Sequence, residues 1–176
     1  AVIFVKAGTK TTVTPPENQP EATIIDALNE GVKLGYEKNL LRKSVVAEPL
    51  NHRKNTQTNT PAVIHYQVVP GDKIHIDLMT KGGGCENKSA FKMFNPTEKK
   101  EAVMDWVTQI VIEAGANACP PFVVGIGIGG SFEQSCLISK KSLLRKTNEP
   151  NHDPFYAEME KQMLEKINGS KLGPHG

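Results

Sequence analysis

The stretch Gly115–Ser131, GANACPPFVVGIGIGGS, decides how the rest of the chain is read. It joins a helix stop to a cysteine, two prolines, an apolar run and four closely spaced glycines. Pro120 and Pro121 have a fixed φ and no backbone N–H, which places Cys119 in an extended, irregular segment able to present a thiol. Phe122, Val123, Val124 and Ile126 form the apolar run expected of a buried strand. Gly125, Gly127, Gly129 and Gly130 let that backbone approach a neighbour closely.

Helices flank this stretch on both sides. Downstream, Ser131 is an N-cap with Gln134 at the capping-box position, so a helix is predicted over Phe132–Leu144, with Cys136 buried and inert inside it. Upstream, Asn95 caps and Pro96 suits the first helical position. Val103, Trp106, Val107, Ile110, Val111 and Ala114 then make an apolar stripe that stops at Gly115. A last helix starts at Asn151-His152-Asp153-Pro154, turns Met159, Met163, Leu164 and Ile167 inward, and ends at Asn168-Gly169.

The N-terminal half is richer in strands. Ala1–Lys6 and Thr11–Thr14 are β-rich runs around Gly8 and read as a hairpin, followed by the breaker cluster Pro15–Pro20. Ile24, Ile25, Leu28, Val32 and Tyr36 give a helix from about Pro20 to Tyr36, although Gly31 and Gly35 each cost about 1 kcal/mol relative to Ala. Asn39–Thr60 has little periodicity and carries Arg42, Lys43, His52, Arg53 and Lys54, the pattern of a long surface loop with anion-binding cations. Ala62–Val69 and Asp72–Thr80 alternate around Pro70-Gly71 and read as a second hairpin. His65 and His75 lie in these strands without a partner at ligand spacing, which favours structural histidines. Directly after, Lys81-Gly82-Gly83-Gly84-Cys85-Glu86-Asn87-Lys88 leaves three glycine N–H groups unshielded, as in a backbone nest for a carboxylate or phosphate.

Composition narrows the function. The chain has 176 residues, 38% hydrophobic and 23% charged, as in a soluble globular protein, and no apolar run reaches the roughly 20 residues of a membrane span. Twenty-one basic against 19 acidic residues, a net charge of +2, give no broad basic footprint for nucleic acid, so small-molecule partners are favoured. Three widely spaced cysteines, 85, 119 and 136, argue against a disulfide framework and for a reducing, cytoplasmic compartment. Ala1 opens without Met in what reads as mid-strand, the expectation for a piece of a longer protein. Gly125, Gly127 and Gly130 satisfy G-x-G-x-x-G, but no second strand ending in an acidic residue follows, so a nucleotide-binding domain is the weaker reading.

Taken in order, LRKSVV from Leu41, RKNTQTNTPAVIH from Arg53, PGDKIHI from Pro70, KGGGCENKSAF from Lys81, ACPP from Ala118 and GIGIGGSFE from Gly125 resemble one family end to end. It is the class I, iron–sulfur-dependent fumarate hydratase and L-tartrate dehydratase family, in its α-subunit or N-terminal catalytic region. The strands and helices read above make an α+β domain over 1–176, a mixed or antiparallel sheet flanked by about four helices. The resemblance implies a cytoplasmic hydro-lyase hydrating fumarate to L-malate, a reaction of the tricarboxylic acid cycle, with L-tartrate dehydratase as the alternative.

The implied cofactor is a [4Fe-4S] cluster held by three cysteines, with the fourth iron open to a dicarboxylate. Cys119 matches one of those ligands. By resemblance the first belongs to a Cys-Gln-Asp-Thr-Gly motif before Ala1 and the third to chain beyond Gly176, so the piece alone is expected without its cluster and inactive. Arg42 matches a carboxylate clamp, Gly82, Gly83 and Gly84 match backbone donors, and Asn55, Thr56 and Lys88 match further substrate-side positions. Cys85, a serine in many relatives, reads as a small side chain filling the turn. The catalytic base is implied to lie in a C-terminal domain or β subunit, within an oligomer.

Overall fold

The computed structural model describes residues 1–171. In chain order it contains β1 (Val2–Gly8), α1 (Ile24–Lys38), β2 (Val63–Val69), β3 (Ile74–Met79), α2 (Gly83–Glu86), α3 (Lys100–Ala114), a 3-10 turn (Gly115–Ala118), α4 (Phe132–Ser142) and α5 (Pro154–Gly169). The α+β class holds, with a three-stranded mixed sheet. Two compact units are distinguishable, Ala1–Lys81 and a second beginning at Gly82.

In the first unit β1 is the central strand, in the order β2-β1-β3. Its sequence VIFV is apolar at consecutive positions, as a strand needs when both faces are covered. Val2, Ile3, Phe4 and Val5 are all buried, each side chain contributing about 1.5–3 kcal/mol. β2 pairs with β1 in parallel and β3 antiparallel, so Val5 has Tyr66 on one side and Ile76 on the other. Helix α1 lies over the Ile3 and Val5 face through Val32 and Tyr36. It begins where Thr23 accepts from the Asp26 backbone N–H and the Asp26 carboxylate accepts from the Thr23 N–H, a reciprocal cap. The Thr23 backbone N–H, and after it the Thr23 hydroxyl, donate to the Asp26 carboxylate and hold it below its usual range.

Neither expected hairpin forms. Thr11–Thr14 is not a strand. After β1 the chain is captured by the β2–β3 connection instead, with Gly8 N donating to Lys73 O and Lys10 N to Gly71 O, each at 2.9 Å. β2 and β3 are strands as predicted but flank β1 rather than each other. The apolar run Val2–Val5 suits a strand at the centre of a sheet, and a Pro70-Gly71 turn carries no information about a third strand between its arms. The connection steps across the end of β1, where a Cβ on Gly8 would lie 2.4 Å from Gly71 O.

The second unit is helical, its core formed by Met104 and Val107 of α3 against Met159 and Met163 of α5. Lys166 Nζ reaches Asp105 Oδ1 at 2.6 Å across the same pair. Helix α3 starts later than Asn95-Pro96 implied: Asn95 O closes a turn with Glu98 N, and Lys99 sits at the N-cap without a side-chain bond. Leu164 of α5 faces solvent, not the core.

Phe122–Ile126 is no strand but an irregular run laid on α4. Ser139 Oγ donates to Gly125 O at 2.8 Å, and Cβ atoms on Gly125 and Gly127 would meet Ser139 O at 2.4 Å and Ser135 O at 2.0 Å. An apolar run becomes a strand only if another strand offers its edge, and here a helix takes the place. Cys136 is exposed on α4. The buried, inert role expected for it does not apply, because α4 has no buried residue.

Candidate functional site

The predicted site residues fall into two groups, one in each unit. In the first, Asn39–Thr60 is an ordered loop. Ala47 N donates to Lys54 O and Thr56 N to Val45 O, so a small two-stranded bridge forms around Val46 and Asn55. Asn59 is buried, and its Oδ1 accepts from Ser44 N at 2.9 Å and Val45 N at 3.2 Å. Asn55 spends both ends of its amide on the loop, Nδ2 donating to Lys43 O and Oδ1 accepting from Gln57 N. Thr56 Oγ1 is buried without a hydrogen-bond partner among the described residues. Arg42 is exposed, next to the carbonyl that Asn55 holds.

The loop tip is closed by Glu48, whose carboxylate accepts from the backbone N–H groups of Leu50, Asn51 and His52 at 2.5, 2.6 and 2.9 Å. Those amide dipoles, Leu50 foremost, favour the charged form and lower the Glu48 pKa. Glu48 and Asn59 organise the loop, yet nothing in the sequence singled them out. An Asn or Glu that binds backbone looks like any other polar loop residue. His65 stacks on Phe4 and His75 pairs with Asp77, the structural roles expected of both.

In the second unit, Gly82 is the N-cap and Gly83–Glu86 a single helical turn. The expected nest with positive φ does not form. Instead the N–H groups of Gly83, Gly84 and Cys85 open the turn, while those of Glu86 and Asn87 already donate to Gly82 O and Gly83 O. Gly82, Gly83, Gly84 and Lys88 are exposed.

This turn packs on the 3-10 segment that carries Cys119. Cys119 is not extended: it caps that segment in the left-handed region, φ 58 and ψ 62, with its N–H donating to Ala116 O. A residue with a Cβ pays about 1–2 kcal/mol to be there. The thiol is thereby left exposed at the end of a turn. Its sulfur would lie 3.3 Å from a Cβ on Gly84, so glycine at 84 is what lets the thiol sit against α2. Cys85 fills the turn, Sγ donating to Ala118 O at 2.7 Å.

Among the described residues no three or more His, Cys, Asp and Glu side chains gather as a metal site. Cys119 and Cys136 are both exposed, and of the two it is Cys119 that lies beside the glycine-opened turn. G-x-G-x-x-G loses its expected context as well, since no strand precedes α4 and two of its glycines are filled by helix backbone.

The family model "Fumarate hydratase (Fumerase)" matches residues 1–176. The chain belongs to that family. Among its relatives, a Methanocaldococcus jannaschii protein provisionally named L(+)-tartrate dehydratase subunit alpha is 40% identical over 157 residues, 87% of this chain and 55% of the relative. An L(+)-tartrate dehydratase subunit alpha from Escherichia coli is 31% identical over 176 residues, 99% of this chain and 56% of the relative. The chain spans about half the length of these curated relatives.

Proposed function

We propose that the intact protein is a hydro-lyase that removes water from a small hydroxydicarboxylate, L(+)-tartrate in preference to malate. The carrying observation is the match to a hydro-lyase family over the whole chain, together with relatives named as tartrate dehydratase alpha subunits. The family's own name supports the second reading, reversible hydration of fumarate to L-malate. The subunit designation of the relatives supports a β-subunit partner. No helix among the described residues is long and apolar enough to cross a membrane, and we assign the protein to the cytoplasm.

In the first unit, Arg42 is the carboxylate-binding cation. Its planar guanidinium matches a carboxylate with two parallel N–H···O bonds, and Asn55 and Thr56 fix the loop that carries it. In the second unit, the backbone N–H groups of Gly82–Gly84 are donors for negative charge, with Lys88 close by in sequence. Fixed donors stabilise charge that develops as the C–H proton leaves. Cys119 would be one thiolate ligand of a [4Fe-4S] cluster, the remaining ligands coming from other parts of the intact protein. When bound, the cluster supplies an open iron that acts as a Lewis acid on the departing hydroxyl. The proton acceptor belongs to the C-terminal part or the β subunit.

The test is anaerobic reconstitution of the full-length protein and its partner subunit with iron and sulfide, followed by assays with L-tartrate, L-malate and fumarate. The expected result is visible cluster absorbance and tartrate turnover above malate turnover, both lost in Cys119→Ser. Malate turnover above tartrate turnover selects the second reading. An active, coloured Cys119→Ser protein removes Cys119 from the site.

A further inference from the structure

Each of two cysteine sulfurs lies against the residue that precedes the other cysteine. Cys85 Sγ donates to the carbonyl of Ala118, and Cys119 Sγ lies against Gly84, where even a Cβ would come within 3.3 Å. Their elements, α2 and the 3-10 turn, pack directly. One thiol is exposed and the other half-buried behind it. Reactive cysteine pairs share this geometry: an accessible thiol meets the oxidant and a shielded neighbour resolves it.

We propose that Cys85 and Cys119 form an intramolecular disulfide when the chain meets a hydroperoxide, protecting Cys119 from irreversible oxidation. The Cys119 sulfur attacks the peroxide, the O–O bond breaks, and Cys119 becomes a sulfenic acid while one water or alcohol leaves. The Cys85 sulfur then attacks the Cys119 sulfur, the S–O bond breaks and a second water departs. Two thiols and one hydroperoxide thus give one disulfide, one water and one alcohol, or two waters when the oxidant is hydrogen peroxide. Closing the bond requires the Cys85 sulfur to leave the Ala118 carbonyl. The inference does not rest on the hydro-lyase reading, since the pairing is a property of the two thiols. If Cys119 also holds iron, the pair is available only in the iron-free protein.

The experiment uses the full-length protein with its partner subunit, in a Cys136→Ser background, stripped of iron with a chelator. It is treated with one equivalent of hydrogen peroxide, alkylated and digested with trypsin without reduction. The expected product is Gly82–Lys88 joined to Glu101–Lys140, two hydrogens lighter than the sum of the peptides and released by a reductant. Both remaining thiols of this chain become unavailable to alkylation. In Cys85→Ser, a second equivalent is expected to carry Cys119 from sulfenic to sulfinic acid, whereas the same two equivalents leave the parent protein at the disulfide. In Gly84→Val, where the added side chain displaces the Cys119 sulfur, both thiols remain but the cross-link yield falls. Recovery of an alkylated Cys85 peptide beside an over-oxidised Cys119, or equal Cys119 over-oxidation with and without Cys85, overturns the proposal. Because the readout is a peptide mass, it holds or fails whatever the assays of turnover give.

Discussion

Two glycine-rich stretches of the second unit use the same residue in opposite ways. At Gly82–Gly83 a Cβ would meet nothing within 4 Å, whereas at Gly125 and Gly127 it would meet helix backbone at 2.4 and 2.0 Å. The first pair leaves backbone N–H groups open at the start of a turn, and the second lets one backbone lie on another. Glycine content alone therefore says nothing about whether a segment receives a ligand or a neighbouring element. What separates them is the space where a side chain would go.

Substitutions at these positions probe that difference directly. In Gly127→Ala the new methyl has to displace the backbone of α4, and we expect a loss of about 3 kcal/mol, at the upper end of overpacking costs, read as a lower urea midpoint in the full-length protein. A loss below about 0.5 kcal/mol, the level of an indifferent surface change, would break the comparison. Cys119→Gly works in the reverse sense: relieving the left-handed backbone should add about 1 kcal/mol of stability while removing the thiol. A destabilised Cys119→Gly protein would show that the sulfur's contacts outweigh the backbone cost.

Gly83→Ala should be smaller still, a gain of about 0.5 kcal/mol from reduced freedom of the unfolded chain, by the same urea titration. Any clear loss there would mean that the open face of α2 is covered in the full-length protein. The smallest effect belongs to a turn that needs no glycine. The folded-state pKa of Glu48 lies below the ordinary carboxylate value of 4.5. Its stabilisation is therefore complete above that value and lost as pH falls through the folded pKa. Protection of the Leu50, Asn51 and His52 amides, taken relative to the intrinsic exchange rate at each pH, should fall selectively under such acidification, and at neutral pH in Glu48→Gln. Unchanged exchange in both would remove Glu48 as the closure of the loop tip.

How far the sequence reached depends on whether the signal was local. Helix α1 was legible because Ile24, Leu28, Val32 and Tyr36 recur at helical spacing, whereas its Thr23–Asp26 cap emerged only from the structure. The strand character of β2 and β3 was legible too, but their pairing was not, because the decisive fact is a third strand far away in sequence. Phe122–Ile126 failed as a strand for the same reason: its apolarity is local, its partner is not. For the site, Cys119 and Gly82–Gly84 stood out by residue type and motif. The Gly84 approach to Cys119 and the loop bonds of Glu48 and Asn59 exist only once the chain has folded.

The straddling connection at Gly8 also sets an order of events. The partners of β1 lie far along the chain, from 61 positions away for Val2 with Val63 to 77 for Val2 with Met79. Non-local pairing of this kind is slow to form. On a ribosome adding roughly 5–20 residues per second, β1 waits on the order of 4 to 15 seconds before the last residue of its second neighbour has been made. During that interval four consecutive apolar side chains at Val2–Val5 have no sheet to enter, and the nascent chain is most exposed to misassembly at the strand that the finished protein buries most completely.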